Sequence, residues 1–174
     1  APSAQRPGPL GGHNWQPMAF SPETQLVYIP TLEMPMKFSQ EPGPARYVPG
    51  TYNTETDTAP PDPVADAALM KQSPPFVMQS VLKAWDPLAG KAVWQSAPMP
   101  WWSGGVLTTA GGLVIQGAAD GVLTVYEATT GRVLKRIETG LAIMAPPMTY
   151  AIDGEQYIVV LAGIGGAMSV RHLP

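Results

Sequence analysis

Three short stretches of this sequence gather residue types able to bind or react. His13-Asn14-Trp15 sets an imidazole, an amide and an indole side by side after Gly11-Gly12. Trp101-Trp102-Ser103-Gly104-Gly105 sets two indoles before small residues, and Gly163-Ile164-Gly165-Gly166 is a glycine-rich turn near the end. An amide donates and accepts hydrogen bonds, and an indole offers a flat apolar face with one N–H. Each stretch also has a purely structural reading. Asn14-Trp15 reads as a loop with a satisfied amide and a docked indole. Trp102 reads as an indole packed between sheets, as do Trp85 and Trp94. His13 reads as a hydrogen-bonded loop residue and His172 as a solvent-exposed one. Asp86, Asp120 and Asp153 sit in turns, where Asp caps its own backbone. The last turn fails as a dinucleotide motif, since a strand precedes it and no helix follows.

The composition narrows the classes. Of 174 residues, Gly contributes 18 and Pro 21, while charged residues are 13%. With 45% hydrophobic residues and a net charge of -3, the chain does not repel itself into disorder. Cys is absent, which excludes a disulfide scaffold, a cysteine zinc site and a thioether-linked haem in this chain. Lys and Arg total 10 against 13 Asp and Glu, so there is no basic surplus for nucleic acid. The longest apolar run, Tyr157–Met168, is broken by Gly163, Gly165 and Gly166, so no transmembrane segment is expected. Ala1–Leu10 is Pro-rich without an apolar core and does not read as a signal peptide.

The elements that must position these residues are strands. Gly105–Thr109, Leu113–Ala118, Val122–Ala128 and Arg132–Thr139 alternate with Gly-containing turns, which predicts four antiparallel strands in a meander. Asp120-Gly121 suits a type I′ hairpin. A sheet of this size is the unit of a β-propeller blade. A repeat supports that unit. Ala84–Trp94 matches Val125–Lys135 at an offset of 41 residues, with an acid (Asp86, Glu127), a Gly (Gly90, Gly131) and a basic residue (Lys91, Arg132) in register. Ala19–Leu26 is a weaker third copy with Gln25 in place of Gly. Pro147–Ile152, a turn at Asp153-Gly154 and Glu155–Leu161 give two strands of a last, unfinished sheet. Thr31–Ser80, rich in Pro, reads as an ordered insertion packed on a sheet face. It carries one short helix over Asp62–Gln72, and Met34, Met36, Tyr47 and Tyr52 give it something to bury. Residues 81–140 then hold the blade repeats and 141–174 the incomplete last blade, in one partial propeller spanning 1–174.

Taken in order, Gly11–Pro22, Ala84–Trp94, Pro100–Gly105, Thr108–Gly121 and Ala145–Tyr157 resemble the C-terminal part of pyrroloquinoline-quinone (PQQ)-dependent alcohol dehydrogenases, which are periplasmic eight-bladed propeller enzymes. The resemblance implies an all-β fold of about three blades. It implies that the quinone lies on the propeller axis with Asn14 hydrogen-bonded to it, Trp15 in the same pocket wall and Trp102 stacked on its face. Gly163 and Ile164 would bring backbone N–H groups to a cofactor carboxylate. The family often has Gly-Trp-Gly-Gly there, so Ile164 forfeits any indole contact. Lys135 stands where the repeat's docking Trp would be.

The resemblance further implies alcohol oxidation by an Asp base with calcium as Lewis acid. No stretch here matches the family's base or calcium ligands, so no catalytic or metal-ligating residue is assigned in this chain. The expected partners are the remaining blades, a small alcohol and a cytochrome electron acceptor. The chain alone is expected not to be a competent dehydrogenase. The alternative is a non-catalytic propeller scaffold for protein–protein interaction, which leaves Gly11–Trp15 and Trp102–Gly105 unexplained.

Overall fold

The structure is a computed structural model that describes residues 3–40, 43–44, 46–50, 53–54, 56–57, 64–71, 78–100 and 102–164. The strands are β1 (Ser3–Gln5), β2 (Ala19–Ser21), β3 (Leu26–Glu33), β4 (Met36–Gln40), β5 (Thr56–Asp57), β6 (Gln79–Asp86), β7 (Lys91–Gln95), β8 (Met99–Pro100), β9 (Ser103–Thr108), β10 (Leu113–Ala118), β11 (Val122–Glu127), β12 (Val133–Glu138), β13 (Met148–Ile152) and β14 (Glu155–Val159). One four-residue helix, α1 (Ala67–Met70), lies between β5 and β6. It falls inside the expected helical stretch, whose Asp62, Pro63 and Gln72 lie outside the described residues.

Two sheets repeat one plan. The first runs β2-β3-β6-β7, with β8 also pairing with β6. The second runs β9-β10-β11-β12, all antiparallel. In each, the turn before the outermost strand has the same build. Gly90 N–H donates to the Asp86 carbonyl and Gly131 N–H to that of Glu127, both at 2.9 Å. The Asp86 carboxylate also accepts the N–H groups of Leu88 and Ala89, and that of Glu127 accepts those of Thr129 and Thr130. Gly90 and Gly131 stand at φ +64° and +72°, which L side chains rarely adopt. The third copy keeps the turn without the glycine: Gln25 N–H donates to the Ser21 carbonyl at 2.9 Å with φ 59°. The bulge after the turn repeats too. Val93 is the extra residue between the Trp85–Ala92 and Ala84–Trp94 pairs, and Leu134 is the extra one between Tyr126–Val133 and Val125–Lys135.

The core lies in the seams between sheets, because strand residues alternate between faces. Val106, Val114, Tyr126 and Ala128 of the second sheet pack against Leu26, Tyr28, Leu82 and Ala84 of the first, with Trp94 at the margin. Their neighbours Ile115 and Leu123 pack the other way, against Ile143, with Leu107, Leu113, Val125 and Val160 around them. Trp94 docks across the first seam. Its Nε1 donates to the Ala128 carbonyl at 2.8 Å, its ring lies 5.8 Å from Tyr28 and 5.9 Å from Tyr126, and it covers Gly131. The Tyr28 hydroxyl donates to the same carbonyl at 3.1 Å, and burial raises the Tyr28 pKa. Among the described residues, the β13–β14 ribbon follows the second seam, and both of its strands are exposed along most of their length.

Three features differ from the sequence reading. At Asp120-Gly121 only Gly121 has a positive φ, and its N–H donates to the Ala118 carbonyl, so this turn is not type I′. Asp153 and Gly154 are both positive, at 51° and 83°, and meet that requirement. The insertion builds a small sheet, β1-β4-β5, which recruits the N-terminal Ser3–Gln5. A Lys37–Asp66 ion pair of 3.2 Å ties β4 to the segment before α1. Met34 and Met36 are half-buried, but Tyr47 is 77% exposed, and Tyr52 lies outside the described residues.

Candidate cofactor-facing site

The stretch Gly11–Pro17 runs from the C-terminal half of β3 to the middle of β9. Leu32 N–H donates to the Gly12 carbonyl at 2.9 Å, the His13 Nδ1 meets the Pro30 carbonyl at 2.8 Å, and Val106 N–H donates to the Pro17 carbonyl at 3.0 Å. These bonds carry Trp15 to Trp102, the residue just before β9. The two rings lie 6.4 Å apart, tilted by 54°. The fold therefore brings together two indoles separated by 87 positions in sequence.

Their exposures differ in a way that matters. Trp102 is 7% exposed and Trp15 is 54% exposed. The open aromatic face is that of Trp15, with Trp102 behind it. Trp102 is covered within the chain, so it offers no open face for a planar ligand to stack on directly. Trp101, the alternative of the doublet, lies outside the described residues.

Asn14 is exposed and partly engaged. Its Nδ2 donates to the Leu10 carbonyl at 2.9 Å, and its Oδ1 accepts Trp15 N–H at 2.8 Å. One amide hydrogen and one acceptor lone pair remain for a ligand. Gly163 reaches this region through Ile143. Gly163 forms a parallel bridge with Ile143, whose carbonyl, with that of Ala145, sits where a Cβ on Gly104 would be. The Gly163 N–H already donates to the Ala142 carbonyl at 2.6 Å, so that donor does not point to a cofactor carboxylate. Ile164 is 68% exposed, and Gly165 and Gly166 lie outside the described residues.

Two glutamines complete the site, and neither was singled out from sequence. Gln16 is 1% exposed, and neither its Oε1 nor its Nε2 has a hydrogen-bond partner. Gln116, also 1% exposed, donates from Nε2 to the Gly104 carbonyl at 3.0 Å, and its Oε1 has no partner. Buried amide atoms without partners are costly, so neither amide is there for packing alone. For Gln116 a sequence signal existed: it is the polar interruption in the apolar run Leu113-Val114-Ile115. For Gln16, between Trp15 and Pro17, there was none.

Antiparallel sheets built on one four-strand plan and packed face to face, the first latched to the second by the docked Trp94, match the blades of a β-propeller. The comparisons with known proteins give the family. Residues 1–158 match the β-propeller domain of glucose/ethanol/alcohol dehydrogenases of the PQQ type, and the chain belongs to that family. It is 43% identical over 171 residues to a quinohemoprotein alcohol dehydrogenase of Comamonas testosteroni, covering 92% of this chain and 22% of that protein. It is 39% identical to a lupanine 17-hydroxylase [cytochrome c] of a Pseudomonas species, covering 97% of this chain and 22% of that protein. Among solved structures, the quinohemoprotein alcohol dehydrogenase ADHIIG of Pseudomonas putida superposes with a TM-score of 0.78 at 37% identity, over 94% of this chain and 24% of that one. A europium-containing methanol dehydrogenase superposes with a TM-score of 0.75 at 27% identity, over all of this chain and 29% of that one. The chain thus spans about a fifth of the length of the curated relatives it matches.

Proposed function

We propose that this chain forms part of the quinone-facing wall of a PQQ-dependent dehydrogenase that oxidises alcohols. The observation that carries this is the Trp15–Trp102 pair, with the open Trp15 face beside Asn14 and the unpartnered Gln16 amide next in the chain. The residues fit a flat, oxygen-rich group: an indole face for its rings, and amides for its carbonyl and carboxylate oxygens. Within this wall Trp15 carries the contact, Trp102 backs it, and Asn14 hydrogen-bonds at the rim. Gly163 and Ile164 border it on the side of the last turn. When bound, the quinone supplies the two-electron acceptor chemistry that no side chain has. Calcium, or another metal held by acids outside this chain, would act as the Lewis acid. Among the described residues no cluster of three His, Asp or Glu side chains is arranged to hold a metal.

On this reading activity needs the remaining blades, a small alcohol and an electron acceptor such as a cytochrome, in a periplasmic setting. The scaffold alternative is favoured by one observation: the Gly163 N–H and part of the Asn14 amide are already satisfied within the chain.

The test is a PQQ titration followed by tryptophan fluorescence. It is run on the chain alone and on a chimera in which the chain replaces the matching stretch of the Comamonas testosteroni relative. In the chimera, quenching should saturate, Trp15→Phe should weaken it and Asn14→Ala should lower affinity about tenfold, the loss expected for one hydrogen bond to a charged or strongly polar group. The chain alone, with quinone and calcium, should not reduce a dye at enzyme-like rates. A chimera that folds and binds no quinone would favour the scaffold.

A further inference from the structure

The pairing of β9 with β10 breaks once. Gln116 pairs with Val106 and Ala118 with Ser103, so Gly104 and Gly105 together oppose Gly117. This bulge begins two residues after Trp102, just past the Ser103–Ala118 pair, and bends the strand from which that residue leaves the sheet. The backbone there is confined on several sides. A Cβ on Gly105 would lie 2.6 Å from Pro17 Cδ, and one on Gly104 would lie 2.9 Å from the Ala145 carbonyl oxygen. Ala119 N–H donates to the Trp102 carbonyl at 3.1 Å. The bulge itself is held by a side chain. Gln116 Nε2 donates to the Gly104 carbonyl at 3.0 Å and approaches Ser103 Oγ at 3.3 Å, with both side chains 1% exposed.

We propose that Gln116 is the positioning residue of the Trp15–Trp102 wall, its amide fixing the bulged backbone from which Trp102 projects. The alternation of β10 turns Gln116 to the same face as Val114, toward the first sheet, from which Trp15 also comes. An apolar residue would fill that volume without stranding an acceptor, whereas the Gln116 Oε1 is left with no partner. The amide is kept for its donor. Pro17 presses on the same bulge and lies two residues from Trp15, so one distortion reaches both rings.

This rests on the reading of the wall as cofactor-facing, and the two can fail separately. The chain is labelled with 5-fluorotryptophan, and its ¹⁹F resonances are assigned by single Trp→Phe variants. Gln116→Met keeps length and shape and removes the donor. The Trp102 and Trp15 resonances should shift or broaden while those of Trp85 and Trp94 stay in place, and PQQ affinity in the chimera should fall about tenfold or more. Unchanged Trp102 and Trp15 signals in the folded variant overturn the proposal. Moved signals with unchanged PQQ affinity leave the positioning role intact and refute the cofactor-facing reading. If Gln116→Met fails to fold, Gln116→Glu keeps the shape and donates only when protonated. Its Trp102 resonance should then follow a carboxyl titration that the wild type lacks, and a trace as flat as the wild type's overturns the proposal.

Discussion

The repeated turn allows one sharp energetic prediction. Gly90 and Gly131 occupy equivalent places, at φ +64° and +72°, and differ in what surrounds them. A Cβ on Gly90 would meet nothing within 4 Å, whereas one on Gly131 would lie 2.5 Å from Cδ2 and Cε3 of Trp94. Gly90→Ala should therefore cost only the left-handed backbone penalty of an L residue, about 1–2 kcal/mol. Gly131→Ala carries the same penalty and must also push the indole outward by about 1 Å, to ordinary carbon–carbon contact. That displacement breaks the 2.8 Å bond from Trp94 Nε1 to the Ala128 carbonyl, worth about 1 kcal/mol. It also strains the contacts with Tyr28 and Tyr126, for about 1–3 kcal/mol of overpacking. The expected total is about 3–6 kcal/mol, so the two variants should differ by about 2–4 kcal/mol. Urea unfolding followed by far-UV circular dichroism measures both, and the Trp94→Ala background closes a double-mutant cycle in which Gly131→Ala should fall to the cost of Gly90→Ala. Equal losses for the two single variants would refute the claim that the indole latch on Gly131 joins the sheets.

Two further outcomes follow from local chemistry. The hydroxyl of Thr130, then the backbone N–H of Thr129, hold the Glu127 carboxyl well below its usual range, at about 2. Because the folded value lies below the unfolded one, the stabilisation is full above the ordinary carboxyl range and is lost as pH falls toward 2. The stability gap between wild type and Glu127→Gln should therefore be flat from neutral pH to about 5 and close below it, a pattern that unfolding curves at several pH values would show or exclude. Lys37→Met removes the ion pair to the buried Asp66 and should loosen the insertion by about 2 kcal/mol while sparing the seams. Limited proteolysis should then cut between residues 41 and 78 sooner than in the wild type, with the unfolding midpoint of the blades unchanged; equal cutting rates would mean the pair does not anchor the insertion.

Much of the fold was legible because its rules are local. The acid at Asp86 and Glu127, the Gly four residues on, and the alternating apolar residues between turns each act over a few positions. Their recurrence at 41 residues exposed the blade unit. The third copy was harder to see because Gln25 accepts a positive φ and Ser21 replaces the acid, yet the hydrogen bond closing the turn is the same. The β1–β4 pairing left no trace in the sequence. Three residues against five, with no fully buried residue in either strand, carry too little pattern to predict a partner across the chain.

The candidate site was legible only in part, for a reason of the same kind. Asn14, Trp15 and Trp102 stood out as residue types, but which indole is open and which is covered depends on where Gly12–Pro17 crosses β9. That crossing is fixed by Gly105, whose missing Cβ leaves room for Pro17, and by the bulge opposite Gly117. In the sequence the glycines after Trp102 serve only as the motif spacing that singles out that indole. The structure gives them a different task, since the space at Gly104 and Gly105 is filled by Pro17, Pro146 and the carbonyls of Ile143 and Ala145. The small residues hold three segments of the chain close together, and the aromatic wall follows from that closeness. A glycine pair beside an aromatic residue in such a sheet is therefore first a packing device, and its value to a ligand comes through the side chains that the packing aims.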